Sequence, residues 1–318
     1  MDERRYSRFM LRHVRSPSLD REGWRLRVGH FVFLKWLMLE ILAARLGDHC
    51  VQGLFAMKYE ILGSVTIRDG ERSADFPAPK VQMLLILLLS RANRMVHMDE
   101  VIKEIWGEDI PRRAVDAVYV YISQLRKIFD YVGGLSNRIA TTNGGYLLRV
   151  EEEEFDVNLF LKYADRGRAL ARERNFPEAA RCFDRARCSW RGPLLWGNDC
   201  GPIVQAFAGY LNEKYLGTIE ISNEVSLRLG YHHELISDLY ELVREHPMRE
   251  ILYSQLMMAL YQSGRRADAL SVYASARKTL LDQLGLDPCR QLRELQQAIL
   301  ADEDAKRDHD GLAQVYLG

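Results

Sequence analysis

From Met57 onward the apolar positions fall into short alternating runs, then three helical stretches, then two short runs again. Lys58 to Leu62 and Val65 to Arg68 read as strands, separated by Gly63-Ser64 and followed by the turn Asp69-Gly70. Pro77 to Pro79 opens an apolar helix, Lys80 to Ala92, whose core side is Val81, Leu84, Leu85, Leu88 and Leu89. A second helix, Asp99 to Trp106, carries Val101, Ile102, Ile105 and Trp106 and stops at Gly107. The third runs from Arg112 to Phe129, with Pro111 marking its start. Val115, Val118, Ile122, Leu125 and Phe129 recur at steps of three and four, which places them on one face. Asp116, Tyr119, Ser123, Arg126 and Lys127 take the opposite side, with Tyr121 and Gln124 on the flanks. Ile139 to Thr142 and Tyr146 to Val150 then flank Asn143-Gly144-Gly145, a strong hairpin signal.

Three helices followed by a hairpin is the layout of a winged helix-turn-helix. In that layout the third helix enters the major groove, the second crosses the backbone, and the hairpin reaches the neighbouring groove. At about 1.5 Å per residue the third helix is about 25 Å long, and it fits a B-DNA major groove about 12 Å wide. Gln124 can make paired hydrogen bonds to a base edge, and Arg126 and Lys127 can meet phosphates. Taken alone, the helix favours a plain surface helix with a solvated charged face. The flanking elements favour DNA over protein contact.

From Glu151 the character changes. Glu151 to Glu154 reads as a solvated acidic linker, and nearly everything after it is helical. Gly167, Leu170, Ala179, Phe183 and Ala186 form a small/large pattern that Met257, Leu260, Ala269, Tyr273 and Ala276 repeat with the same internal spacing. Ile236, Tyr240 and Val243 fill equivalent slots between them. This is a helical-hairpin repeat of about the tetratricopeptide period. Arg174-Asn175 and Gly264-Arg265-Arg266 mark turns, Pro247 ends one hairpin, and Pro288 precedes a last helix, Cys289 to Leu300. The fold expected is mainly α with a small α+β part. It comprises an N-terminal extension (1–56), a winged-helix domain (57–150), a tetratricopeptide-like domain (151–303) and a charged tail (304–318), the two domains each closing their own core. The stretch His30 to Leu46 is apolar but interrupted by Lys35 and Glu40, too short and too charged for a membrane span of about 20 apolar residues. Nothing in Met1–Ala56 fits a secretory signal or a receiver domain; the segment reads either as an amphipathic helix lying on another domain or a membrane surface, or, more plainly, as sequence ahead of a functional chain that begins at Met57.

Composition narrows the chemistry. Net charge is zero, so any nucleic-acid site is a local patch rather than a global field. Lys and Arg outnumber Asp and Glu by two from 57 to 150, and are outnumbered by six from 151 to 318. The five cysteines form no C-x-x-C pair, which suits reduced thiols in a cytoplasmic protein and argues against structural zinc; Cys182 and Cys188 read as helix core or rim residues. No phosphate-binding G-x-x-x-x-G-K-[ST] is present. His232-His233-Glu234 reads as a polar helix start, since adjacent side chains point apart. His97 with Asp99 lacks a nucleophile. Neither an enzyme, a metal nor a cofactor is indicated.

The segments MKYEILGSVTIRDGE and PAPKVQMLLILLLSRANRMVHMDEVIKEIWGED, the third helix, and GGYLL resemble the OmpR-type DNA-binding domain. With WRGPLL at Trp190–Leu195, EHPMRE at Glu245–Glu250, ALYQSGRRADAL and LGLDP, the chain resembles the Streptomyces antibiotic regulatory protein family from Met57 to about Leu300. That resemblance implies a pathway-specific transcriptional activator of secondary-metabolite genes. It would bind double-stranded DNA at promoter repeats, recruit RNA polymerase and pair with a second copy on DNA. By position, Trp106 resembles an indole that donates to a phosphate, Arg126 and Lys127 the basic pair of the recognition helix, and Tyr121 and Gln124 groove-facing residues. Arg112 and Arg113 at the helix start, and Thr142 and Tyr146 in the wing, complete the candidates, Tyr146 standing where a wing tyrosine packs or contacts the backbone. Gln124 stands where many relatives have arginine, which favours adenine over guanine. Thr142 stands where the wing usually has arginine, and His97 replaces a serine cap. The alternative is a helical-repeat scaffold or ligand sensor whose winged helix contacts protein.

Overall fold

The computed structural model describes residues 57–70, 72–76, 78–194 and 200–301; the readings of the N-terminal extension and of the charged tail lie outside them. The first sheet is an antiparallel meander of β1 (Met57–Glu60), β2 (Thr66–Asp69) and β3 (Arg72–Asp75), with Tyr59 opposite Ile67. The sequence reading lacked β3. Its RSAD has no alternating apolar residues because it is a mostly exposed edge strand.

Helix α1 (Pro79–Ser90) starts with proline at its first turn, where a missing N–H costs nothing. Its burial is not confined to the predicted side: Met83, Ile86 and Leu87 are inside as well. Other helices pack around it, including one from the repeat region. Next come β4 (Met95–His97), which is too short for a periodic signal, and α2 (Met98–Trp106). His97 does not leave α2 uncapped, because its backbone N–H donates to Glu100 Oε2 at 3.0 Å.

Helix α3 (Ala114–Gly133) begins two residues later than the pattern suggests and runs four further, ending at left-handed Gly134. Ala114, not Val115, takes the inner position, and Val115 is exposed. After a short 3-10 turn, β5 (Ile139–Thr142) and β6 (Gly145–Leu148) form the hairpin, and β4 adds to β6 in the order β4-β6-β5. Gly145 permits that addition, since a Cβ there would lie 2.1 Å from the Val96 carbonyl oxygen.

The repeat region has α4 (Asp156–Arg172), α5 (Phe176–Ser189), α6 (Pro202–Arg228), α7 (His232–Glu245), α8 (Glu250–Gln262), α9 (Arg266–Leu284) and α10 (Arg290–Ala301). Small residues set the helix approach as the pattern implied: a Cβ on Gly167 would meet the Phe183 ring at 2.6 Å. Tyr240 departs from its assigned slot. It is exposed, and Leu239 is buried instead. His232 begins α7, Cys182 is half-buried and Cys188 is exposed.

The expectation of two separately closed cores is corrected. One continuous cluster of buried side chains runs from the first sheet through α1, α2 and α3 into Phe155, Phe160, Ala186, Val204 and Leu211. The acidic stretch helps to join the parts rather than being a solvated linker. Glu152–Glu154 is a 3-10 turn in which Glu154 is buried and accepts from Arg138 Nη2 at 2.8 Å. Tyr59 forms a parallel bridge to Phe155, and Asn93 exchanges two hydrogen bonds with the Val150 backbone at 2.8 and 3.0 Å. Asp156 Oδ2 accepts the N–H groups of Ile61 and Leu62 at 2.9 and 3.0 Å and also meets Arg191 at 2.9 Å. Burial outweighs those donors and pushes the Asp156 carboxyl up to about 6. On the other side of the junction, buried Glu104 of α2 accepts from the N–H groups of Ile203 and Val204 at the start of α6, at 2.9 and 2.8 Å. The open N–H groups and positive end of a helix suit a carboxylate there.

Candidate nucleic-acid interface

Helix α3 is wedged into the core by Ala114, Val118, Ile122, Leu125, Phe129 and Val132, and the opposite face is free. At about 100° per residue, the outermost line carries Asp116, Val120, Ser123, Gln124 and Lys127, all exposed. Gln124 therefore stands nearer the centre of the free face than the flank assigned to it. Val120 is 52 % exposed and Tyr119 55 %. The sequence reading left Val120 off the site, although its place two residues after buried Val118 already puts it outward on a helical wheel.

The two flanks of α3 are occupied. On one, Tyr121 is half-buried and stacks on Trp106 at 6.1 Å between ring centroids, while Lys80 Nζ lies 5.0 Å over the Trp106 ring. This stack joins the start of α1, the end of α2 and the middle of α3, and it presents a cation beside the indole. Lys80 is absent from the candidates read in the sequence, since nothing in the spacing of Lys80 and Trp106 signals their contact.

On the other flank, Arg126 Nη2 donates to the Ile139 carbonyl and to Thr141 Oγ1, both at 2.8 Å. The Arg126 expected to meet a phosphate is thus already engaged through one of its terminal nitrogens. Arg126 ties the recognition helix to the wing, and Lys127 is the exposed cation of the pair. Of the two roles expected of Tyr146, the structure has it packed. It is 3 % exposed, pairs across β6 with Thr141 and Val96, and burial raises its phenol pKa. Thr142 is half-buried, with its hydroxyl enclosed and without a hydrogen-bond partner among the described residues. Arg112 and Arg113 lie just before the helix rather than within it, both exposed, and Arg113 pairs with Asp116 at 2.9 Å. So exposed pairs add little to stability, and Arg113 can exchange Asp116 for a phosphate at small cost.

Residues 77–148 match the family model "Transcriptional regulatory protein, C terminal", and residues 155–300 match "Bacterial transcriptional activator domain". Regulatory protein DnrI of Streptomyces peucetius is 33% identical over 250 residues, covering 77% of this chain and 92% of DnrI. The chain belongs to the Streptomyces antibiotic regulatory protein family. Within that family, regulatory protein AfsR of Streptomyces coelicolor is 37% identical over 255 residues, 79% of this chain. The chain spans about a quarter of AfsR's own length. The solved structure titled Mycobacterium tuberculosis EmbR in complex with low affinity phosphopeptide superposes with a TM-score of 0.73 at 30% identity, over 82% of this chain and 69% of that one. The family's winged helix followed by a helical activator domain is the architecture observed here. Among the described residues, no helix is long and apolar enough to cross a membrane.

Proposed function

We propose that this chain is a sequence-specific transcriptional activator of secondary-metabolite genes, with α3 in the major groove of promoter repeats. The observation that carries the reading is the free face of α3. It offers Gln124 for an adenine edge, Ser123 as a second polar contact, and Val120 as an apolar surface for a thymine methyl. Lys127, Arg112, Arg113 and Lys80 beside Trp106 ring that face with cations suited to phosphates. The excess positive charge of the winged helix is small, so two copies on adjacent repeats supply the avidity that one lacks. The acidic helical repeats face a protein partner, RNA polymerase, or a second copy of the chain.

The test is binding to the chain's own promoter region and to single-base variants of the mapped site across a salt series. Gln124→Ala relaxes preference at one base step, by about 1–3 kcal/mol, and leaves the other positions unchanged. Equal loss on every sequence variant would remove α3 from the bases. No retardation of any fragment at low salt would leave the winged helix as a protein-contact module.

A further inference from the structure

Four arginines line one groove of the repeat region. The groove has a volume of about 390 Å³ and is walled by the end of α4, the α4–α5 turn and the last turns of α6, with Arg168, Arg172, Arg174 and Arg228 around Phe176 and Glu224. Arg168 is held by Asp165 at 2.7 Å and by Thr218 Oγ1 at 2.9 Å. Arg228 pairs with Glu224 at 3.2 Å and lies 5.7 Å over the Phe176 ring. Arg172 and Arg174 are exposed and make no ion pair with any described residue. Asp165 on Arg168 and Glu224 on Arg228 offset two of the four guanidinium groups, and Arg172 and Arg174 leave the rim of the groove positive. It sits in the part of the chain where acidic residues outnumber basic ones by six.

The backbone supplies a second, independent observation. The α4–α5, α6–α7 and α8–α9 turns share one hydrogen-bond pattern. Asn175 N–H returns to the Leu170 carbonyl, Tyr231 N–H to Ser226, and Arg265 N–H to Leu260. The residue before each of those donors is left-handed. In two turns it is glycine, Gly230 at φ 89° and Gly264 at φ 76°; in the first it is Arg174 at φ 60°. A side chain at that φ carries steric strain that glycine avoids, and glycine serves the same turn twice elsewhere in this chain. A strained arginine at the rim of an arginine-lined groove argues for a role of its side chain.

We propose that this groove binds a small phosphate ester, its phosphate held by Arg172 and Arg174 and its apolar part against Phe176 and the aliphatic wall of Ile221 and Val225. Guanidinium forks match phosphate oxygens in pairs, and the volume is that of a small-molecule pocket. The inference is independent of the DNA-binding reading.

The experiment titrates the full chain with AMP and with ribose 5-phosphate by calorimetry in about 0.15 M salt, where surface charge is largely screened. Adenosine is the control for the apolar part. Saturable one-to-one binding of the phosphate esters is expected, with none for adenosine. Arg172→Ala and Arg174→Gly each weaken it by at least about tenfold, the loss of one charge-assisted contact. Arg174→Gly keeps or raises the melting temperature, because glycine relaxes the turn, so its loss of binding is not unfolding. Arg244→Ala removes an exposed arginine of α7 and leaves binding unchanged. Absence of saturable binding by either ester, or binding untouched by Arg174→Gly, overturns the proposal. So does a fall in DNA affinity without phosphate-ester binding, which would assign the groove to the DNA backbone.

Discussion

Glu104→Ala tests how the winged-helix half is joined to the repeats. The Glu104 side chain is 2 % exposed and its two oxygens accept the N–H groups of Ile203 and Val204, at 2.9 and 2.8 Å. Hydrogen bonds to a charged group are each worth about 1.5–3 kcal/mol, and the positive end of the helix adds up to about 1 kcal/mol. Alanine leaves two enclosed N–H groups without an acceptor, so the expected loss is about 3–5 kcal/mol, a large share of the roughly 5–15 kcal/mol of a typical domain. Glu104→Gln keeps one carbonyl oxygen as acceptor and loses about half as much. The assay is equilibrium urea unfolding of the full chain, followed by near-ultraviolet and far-ultraviolet dichroism. With one continuous core, both signals shift together to lower urea. A shift of less than about 1 kcal/mol for Glu104→Ala, or a larger loss for glutamine than for alanine, would refute the reasoning.

Lys127→Ala lowers the salt slope of DNA binding by about one counterion, whereas Arg126→Ala leaves the slope nearly unchanged and speeds amide exchange in β5; equal slope losses would return Arg126 to the phosphates. Asp156 holds a proton in the folded chain at pH values where the unfolded chain has shed it, from about pH 4 to about 6. Its contribution to stability therefore falls as pH rises through that window, and wild type loses ground relative to Asp156→Asn; a gap in urea midpoints that does not change with pH would sink this. Gly167→Ala drives a methyl into the Phe183 ring and costs about 1–3 kcal/mol in urea unfolding, and a neutral result would mean the α4–α5 pair opens freely.

The helices of the winged domain and the small/large pattern of the repeats were legible because each is a local period. The outer line of α3 was nearly so: once Val118 is inward, Val120, Gln124 and Lys127 face out. What escaped rests on partners distant in sequence. Glu104 sits in an ordinary helical run and looks like a solvated charge; its acceptor role depends on residues 99 and 100 positions away. Glu154 looked like one of four linker acids until Arg138 and the first sheet enclosed it. Arg126 looked like a free cation beside Lys127, and only the folding back of the hairpin gives it the Ile139 carbonyl. Strands β3 and β4 had too little apolar alternation to register, since one is an exposed edge and the other has three residues.

Helix α2 is nine residues long, and Glu104 and Trp106 stand two residues apart near its end. One anchors the start of α6, and the other stacks on the recognition helix. A helix this short turns as a piece. With α3 on DNA as proposed, substitutions at the start of α6 shift the indole and alter promoter affinity from a place far from any base. In a genetic screen, second-site suppressors of weak α3 variants would map to residues around Gly201, where a Cβ would strike the Glu104 backbone at 2.4 Å. Such alleles would be mistaken for defects in the activator half.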